Sequence, residues 1–231
     1  MSADLPRPRA LVTGASGGIG AATARALAPT HDVWLGGRDQ TALAALAAEL
    51  PGARPWPVDL TDTTALYSAT AGIDTLDVLV HCAGVAEIAP LPATSADVWR
   101  RTLEVNVIAV AELTRLLLPA LRATRGRVVL VNSGQGKRAR AGWGAYAASK
   151  FALAAYADVL RAEEESAGLR ITSVFPGRTD TDMQRGVRAA EFGEYDPSRY
   201  LRPESVADSI RFVVTGPPDA AVPELVIIPA V

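Results

Sequence analysis

The chain has 231 residues, 49% hydrophobic and 21% charged, a balance that can bury a sizeable core and excludes an intrinsically disordered chain. Its 23 Lys+Arg against 25 Asp+Glu leave a formal net charge of -2, too weak a positive field to hold a polyanion, so no nucleic-acid partner is expected. The single cysteine, Cys82, cannot close an internal disulfide, residues 1–9 carry no apolar secretion-signal core, and no apolar run approaches the roughly 20 residues that cross a bilayer; a cytoplasmic protein away from membranes is expected.

Apolar periodicity then sets out short and long elements in alternation. Strands are expected over 9–13, 32–35, 54–58, 78–81, 127–132, 170–175 and 225–228, and helices over 18–28, 41–50, 63–71, 97–123, 143–167 and 204–215. Thr41, Asp62 and Ser95 stand where helix caps belong. A helix after each strand carries the chain back across the sheet, which makes the strands parallel. Runs such as Ala10-Leu11-Val12 and Val128-Val129-Leu130-Val131 are apolar on both faces, as strands covered from two sides must be. The expected fold is α/β, a doubly wound parallel seven-stranded sheet flanked by helices, in one domain over 1–231. Segment 178–200 breaks the alternation: it is polar, weakly periodic, and follows the carboxyl end of the sixth strand, where open sheets bind ligands, so a substrate lid is expected there.

Thr13-Gly14-Ala15-Ser16-Gly17-Gly18-Ile19-Gly20 directly follows the first strand and opens the first helix. A turn this tight needs glycine for positive φ, and bare backbone N–H groups at a helix start can approach a pyrophosphate closely. This context predicts a dinucleotide site. At the end of the second strand Gly36-Gly37-Arg38-Asp39 puts glycine where a ribose-binding carboxylate would sit and an arginine beside it, which favours the 2′-phosphate of NADP(H), with NAD(H) as the alternative. No metal site is expected.

Tyr146-Ala147-Ala148-Ser149-Lys150 sets a phenol and an ammonium four residues apart on one helical face, and a nearby positive charge is expected to lower the phenol pKa. Ser133 ends the fifth strand thirteen residues before Tyr146, so a strand end and a helix start can bring the two hydroxyls together.

The glycine turn with its Gly-xxx-Gly-x-Gly spacing, and the Ser133, Tyr146, Lys150 set, resemble the short-chain dehydrogenase/reductase family. The resemblance runs from Ala10 to about Ile228 and implies a Rossmann fold. It implies cofactor contacts at Gly14, Ser16, Gly18, Ile19, Gly20 and Arg38, at Asp59 and Leu60 near adenine, and at Ala83 and Gly84 of His81-Cys82-Ala83-Gly84. Further contacts are implied at Tyr146, Lys150 and the Pro176, Gly177, Thr179, Thr181 stretch. Cys82 stands where the family carries an asparagine, and a small buried residue is expected there rather than a redox thiol. The catalytic set implied is Asn106, Ser133, Tyr146 and Lys150, with Asn106 holding a water that links the lysine to solvent. The implied activity is NADP(H)-dependent reduction of a ketone or aldehyde; an NAD-dependent alcohol dehydrogenase and a non-catalytic NADP(H)-binding regulator are the alternatives. A small carbonyl or alcohol substrate and a homodimer or homotetramer, joined through helices 97–123 and 143–167, complete the expectation. Gln135, Trp143, Gly177, Met183 and Gln184 are expected around the substrate, and the basic run Lys137, Arg138, Arg140 is expected to be a solvated loop.

Overall fold

In the computed structural model, residues 7–230 are described, so the reading of residues 1–9 falls largely outside the described residues. Every expected strand forms: β1 (Arg9–Thr13), β2 (Asp32–Gly37), β3 (Arg54–Pro57), β4 (Val78–His81), β5 (Arg127–Val131), β6 (Arg170–Pro176) and β7 (Glu224–Ile227). They make one parallel sheet in the order β3-β2-β1-β4-β5-β6-β7. β2 runs two residues past its expected end, because Gly36 and Gly37 still pair with Trp56 and Pro57. A side chain at Gly36 would press on the Val12 carbonyl at 3.1 Å, and glycine is what lets the ladder continue.

The two-sided apolar runs bury two cores, one per face. Ala10, Val12, Val78, Val80, Val129, Val131 and Val174 point to the face covered by α1 (Gly18–Leu27), α2 (Gln40–Glu49) and α8 (Pro203–Thr215). Leu11, Leu79, Val128, Leu130 and Ile171 point to the face covered by α3 (Thr63–Thr70), α5 (Ala109–Thr124) and α6 (Gly144–Glu164). Alternate residues of the inner strands thus serve opposite cores, which anchors them from both sides, whereas the edge strands β3 and β7 each give residues to one core only. Each fully buried leucine, among them Leu11, Leu79 and Leu130, contributes about 1.5–3 kcal/mol through area removed from water.

Three local expectations need correction. Helix α2 is capped by Asp39, whose carboxylate accepts from Ala42 N at 3.0 Å, and not by Thr41, which lies inside the first turn; Asp62 and Ser95 do cap α3 and α4 (Ala96–Leu103). The single helix expected over 97–123 is α4 and α5 joined by a π-helical turn, Glu104–Ile108, and one wide turn of this kind rotates the residues within it relative to a regular helix. Segment 178–200 contains a regular helix, α7 (Asp182–Ala190), opened by the Thr181 side chain accepting from Gln184 N at 3.2 Å.

The sheet order changes direction between β1 and β4: the chain winds outward from β1 to β3, then crosses back to β4. Crevices at this switch point, above the carboxyl ends of the strands, are where open α/β sheets take ligands. No helix among the described residues is long and apolar enough to cross a membrane.

Candidate active site

The turn after β1 is shaped by its glycines. Gly14 and Gly18 have φ of +67° and +53°, the left-handed region, and a Cβ on Gly20 would lie 2.1 Å from the Gly14 carbonyl oxygen. Ala15 N donates to Gly36 O at 2.9 Å and pins the turn to β2. The residue in the capping position before α1 is Gly17, which has no side chain to offer, whereas α2, α3, α4 and α7 start with a side-chain cap. The first N–H groups of α1 therefore face the crevice beside the positive end of the helix dipole, and this cradle fits a pyrophosphate.

Arg38 stands at the rim of the same crevice. Its two acidic neighbours are both committed elsewhere. Asp39 caps α2, and the Asp59 carboxylate accepts from Thr61 N at 3.0 Å and Thr61 Oγ1 at 2.8 Å, hydrogen bonds that with the more distant Arg38 charge hold its pKa below the usual carboxylate value. Among the described residues no carboxylate pairs with Arg38, so its guanidinium is available to an incoming anion.

The floor of the crevice is the junction of β1 and β4. Thr13 Oγ1 accepts from Cys82 N at 3.1 Å and Ala83 N at 3.2 Å and gives its own proton to Val80 O at 3.4 Å. This residue joins the two strand ends at the switch point. Cys82 is half-buried and lines the crevice rather than being the fully buried residue expected, and desolvation pushes its thiol up to about 12. Asn106, brought inward by the π-helical turn and 1% exposed, accepts from Val85 N and donates to Val85 O, both at 2.9 Å, and donates to Ser149 Oγ at 3.0 Å. Ser149 Oγ passes a hydrogen bond on to Tyr146 O at 2.7 Å. The Asn106 side chain is thus fully used in tying the loop after β4 to α6.

Ser133 and α6 meet as the spacing suggested. Asn132 is the residue that joins them: its Oδ1 accepts from Ser133 N at 2.8 Å and its Nδ2 donates to Lys150 O at 3.1 Å. A Cβ on Gly136 would collide with Asn132 Oδ1 at 2.3 Å, so the turn after Ser133 is glycine by necessity. Tyr146 is 7% exposed, its ring edge-on to Trp143 at 5.6 Å between centroids. Lys150 is 4% exposed, lies 5.7 Å from the Tyr146 ring centroid, and donates to Val131 O at 2.9 Å.

The electrostatics differ from the expectation at Tyr146. Burial raises the phenol pKa above its ordinary value, opposed only by hydrogen bonding with Ser133, while burial also lowers Lys150 to about 8. The ammonium is held by a backbone carbonyl and is itself desolvated, and burial outweighs its pull on the phenol. The consequence is a phenol that is fully protonated at neutral pH, the form a proton donor needs.

Two cavities run together above these residues. The larger, about 770 Å³, is lined by Gly14, Ser16, Gly18, Ile19, Gly20, Arg38, Asp59, Leu60, Ala83 and Gly84, all ten residues expected there. The smaller, about 290 Å³, is lined by Ser133, Tyr146, Lys150, Pro176, Gly177 and Thr179, together with Gln135, Trp143, Met183 and Gln184. Ile19, Cys82, Gly84, Thr181 and Met183 line both. Asn106 lines neither and sits behind the wall. Thr181 also approaches the glycine turn: its Cγ2 lies 3.1 Å from where a Cβ on Gly18 would be. Thr13 and Asn132 escaped the sequence reading; the signal available was their position immediately before Gly14 and Ser133.

A family model described as short chain dehydrogenase matches residues 8–191. Glycine betaine reductase ATRR of Emericella nidulans is 37% identical over 95% of this chain but only 18% of its own length. Dehydrogenase/reductase SDR family member 7B of Bos taurus is 35% identical over 80% of this chain and 62% of its own. The chain thus spans less than two thirds of either relative. Among solved structures, an alcohol dehydrogenase from the archaeon Thermococcus sibiricus, complexed with 5-hydroxy-NADP, matches with a TM-score of 0.87 at 26% identity over 95% of each chain.

Proposed function

The chain belongs to the short-chain dehydrogenase/reductase family, and from that premise we propose that it is an NADP(H)-dependent oxidoreductase that reduces a ketone or aldehyde. The observation that carries this reading is one continuous crevice with a glycine cradle and a free arginine at one end and a buried Ser133, Tyr146, Lys150 group at the other. In this reading the α1 start and Gly14, Ser16, Gly18, Ile19 and Gly20 hold the pyrophosphate, Asp59 and Leu60 border adenine, and Ala83 and Gly84 form the floor. Lys150 holds the nicotinamide ribose, and Pro176, Gly177, Thr179 and Thr181 hold the carboxamide.

The chemistry a reduced nicotinamide supplies when bound is a hydride for the carbonyl carbon. The chain supplies the proton. Tyr146 gives its phenolic proton to the carbonyl oxygen as that oxygen gains negative charge, so that the carbonyl becomes an alcohol and the phenol a phenolate. Ser133 donates a hydrogen bond to the same oxygen, and a preorganised donor of this kind is worth on the order of 3 kcal/mol in the transition state. Lys150 stabilises the phenolate left behind and returns the proton. Asn106 acts through position: it fixes the loop at Val85 and the α6 backbone at Ser149, and a water in the relay would have to be held by backbone rather than by its amide, which is already satisfied.

Arg38 reads the 2′-phosphate. Arg38→Gln is expected to raise the Kd of NADPH about 10- to 100-fold, the size of one charge-assisted hydrogen bond, and to leave NADH within about twofold. Fluorescence titration of both dinucleotides measures this, and equal affinities in the unaltered protein remove Arg38 from the role.

Segment 178–200 serves as the lid. Its ends are clamped together, Asp180 N on Leu201 O at 2.8 Å and Leu201 N on Arg178 O at 2.9 Å. Its interior is tied by Arg178 to Glu191 at 2.8 and 2.6 Å and by Arg188 to Glu191 at 2.7 Å, so it is built to move as a unit. NADPH is expected to slow amide hydrogen exchange within α7; identical exchange with and without it would refute the lid.

A further inference from the structure

The basic run after Ser133 divides in the structure. Lys137 turns away from the cavity: its ammonium pairs with Glu224 at 2.6 Å and lies 4.2 Å from the Phe175 ring centroid. Arg138 and Arg140 are exposed, as a solvated loop predicts, yet both line the smaller cavity, and among the described residues neither side chain has a carboxylate partner or a hydrogen bond. The third arginine of that lining, Arg178, is paired with Glu191, a carboxylate it shares with Arg188. No aspartate or glutamate lines the cavity, while the Lys150 ammonium does. The walls therefore present uncompensated positive charge.

A second, independent feature lies in the same cavity. Gln135 and Gln184 are 9% and 7% exposed, and Gln135 Oε1 and Gln184 Nε2 are buried with no hydrogen-bond partner among the described residues. Buried polar atoms are nearly always paired, and these two glutamines make this part of the cavity wall polar rather than aliphatic. A carboxylate answers the arginines in their preferred two-point geometry.

We propose that the substrate of this site is a small oxo acid, a carbonyl compound whose carboxylate is received by Arg138 and Arg140. The proposal rests on the oxidoreductase reading for the fate of the carbonyl and on the cavity alone for the charge of the substrate. A cavity of about 290 Å³ lies at the small end of ligand sites, which points to a short carbon chain.

The test is calorimetric binding to the NADP-loaded protein of pyruvate, 2-oxobutanoate, 4-oxobutanoate and 4-oxopentanoate, each beside its methyl ester. At least one acid is expected to bind tenfold or more tightly than its ester. That preference should fall several-fold between low and high salt and disappear in the Arg138→Gln/Arg140→Gln variant, with NADP affinity unchanged. The salt arm uses the unaltered protein and so does not depend on the folding of the variant. Esters that bind as well as their acids, a preference that survives the double substitution, or no binding of any acid would overturn the proposal. NADPH oxidation with the same compounds separates the two readings. Equal turnover of acids and esters would overturn the oxo acid and leave the reductase; salt-sensitive acid binding without any turnover would overturn the reductase and leave the charge assignment.

Discussion

Tyr146→Phe is expected to lower kcat for carbonyl reduction by about a thousandfold while leaving the Kd of NADPH within about twofold, as measured by steady-state turnover and fluorescence titration. The substitution removes one hydroxyl and keeps the ring, which is 7% exposed and packed edge-on against Trp143 at 5.6 Å, so the wall of the cavity persists. What is lost is the proton. Burial keeps the phenol protonated at neutral pH, and no other hydroxyl on the smaller cavity is paired with a buried lysine on the same helical face. A variant that retains more than a tenth of the unaltered rate would show that the proton comes from elsewhere. An unchanged melting temperature is part of the expectation, because it assigns the loss to chemistry.

Lys150→Met is the second large effect. The methionine fills the volume of the lysine stem but cannot donate to Val131 O, now 2.9 Å from the ammonium, and it leaves the phenolate without a positive neighbour. Reduction is expected to fall about 100-fold or more. In the unaltered protein the lysine is pushed down to about 8 by burial, with the nearby Cys82 opposing, and Tyr146 is pushed up. The group that loses its proton just above neutrality is therefore the ammonium, and kcat should decline as pH rises through about 8. Stability moves the other way. Between about pH 8 and the ordinary lysine value of 10.5 the unfolded chain holds a proton at this site that the folded chain has released, so this residue's contribution to stability rises with pH across that window. The Lys150→Met protein should lack both trends. A pH profile with no limb near 8, together with a variant that turns over normally, would contradict the role given to Lys150.

Much of the fold was legible because it is written in short patterns. Ala10-Leu11-Val12 and Val78-Leu79-Val80 could only be strands covered on both sides, and the glycines after β1 announced a turn too tight for any other residue. The break at Glu104–Ile108 was not legible, because a single wide turn leaves the apolar spacing of 97–123 nearly helical; the clue was an asparagine in an apolar stretch, and only its inward rotation explains it. Helix α7 was hidden by composition, since Arg185 and Arg188 face outward to ion pairs and only Gln184 and Val187 are buried within it. Thr41 was read as a cap because it adjoins the apolar run, but the shorter reach of the Asp39 carboxylate to Ala42 N decides the start of α2.

The site was legible in its membership and less so in its electrostatics. Spacing could place Lys150 on the face of Tyr146, yet not reveal that Val131 O holds the ammonium or that burial outweighs charge at the phenol. Nor could it show which members of Lys137, Arg138, Arg140 are spent: the answer depends on Glu224, on a strand distant in sequence. Unsatisfied atoms such as Gln135 Oε1 are properties of packing and have no sequence signature.

The central claim is that this crevice carries out reduction, and it is tested most directly by following the loss of NADPH absorbance with ketones, aldehydes, quinones and oxo acids, repeated with NADH. The account predicts turnover with NADPH on at least one carbonyl class, weaker turnover with NADH, and a loss of about a thousandfold in Tyr146→Phe. Tight NADPH binding with no oxidation across the whole panel would contradict it and leave a dinucleotide-binding protein that does no chemistry.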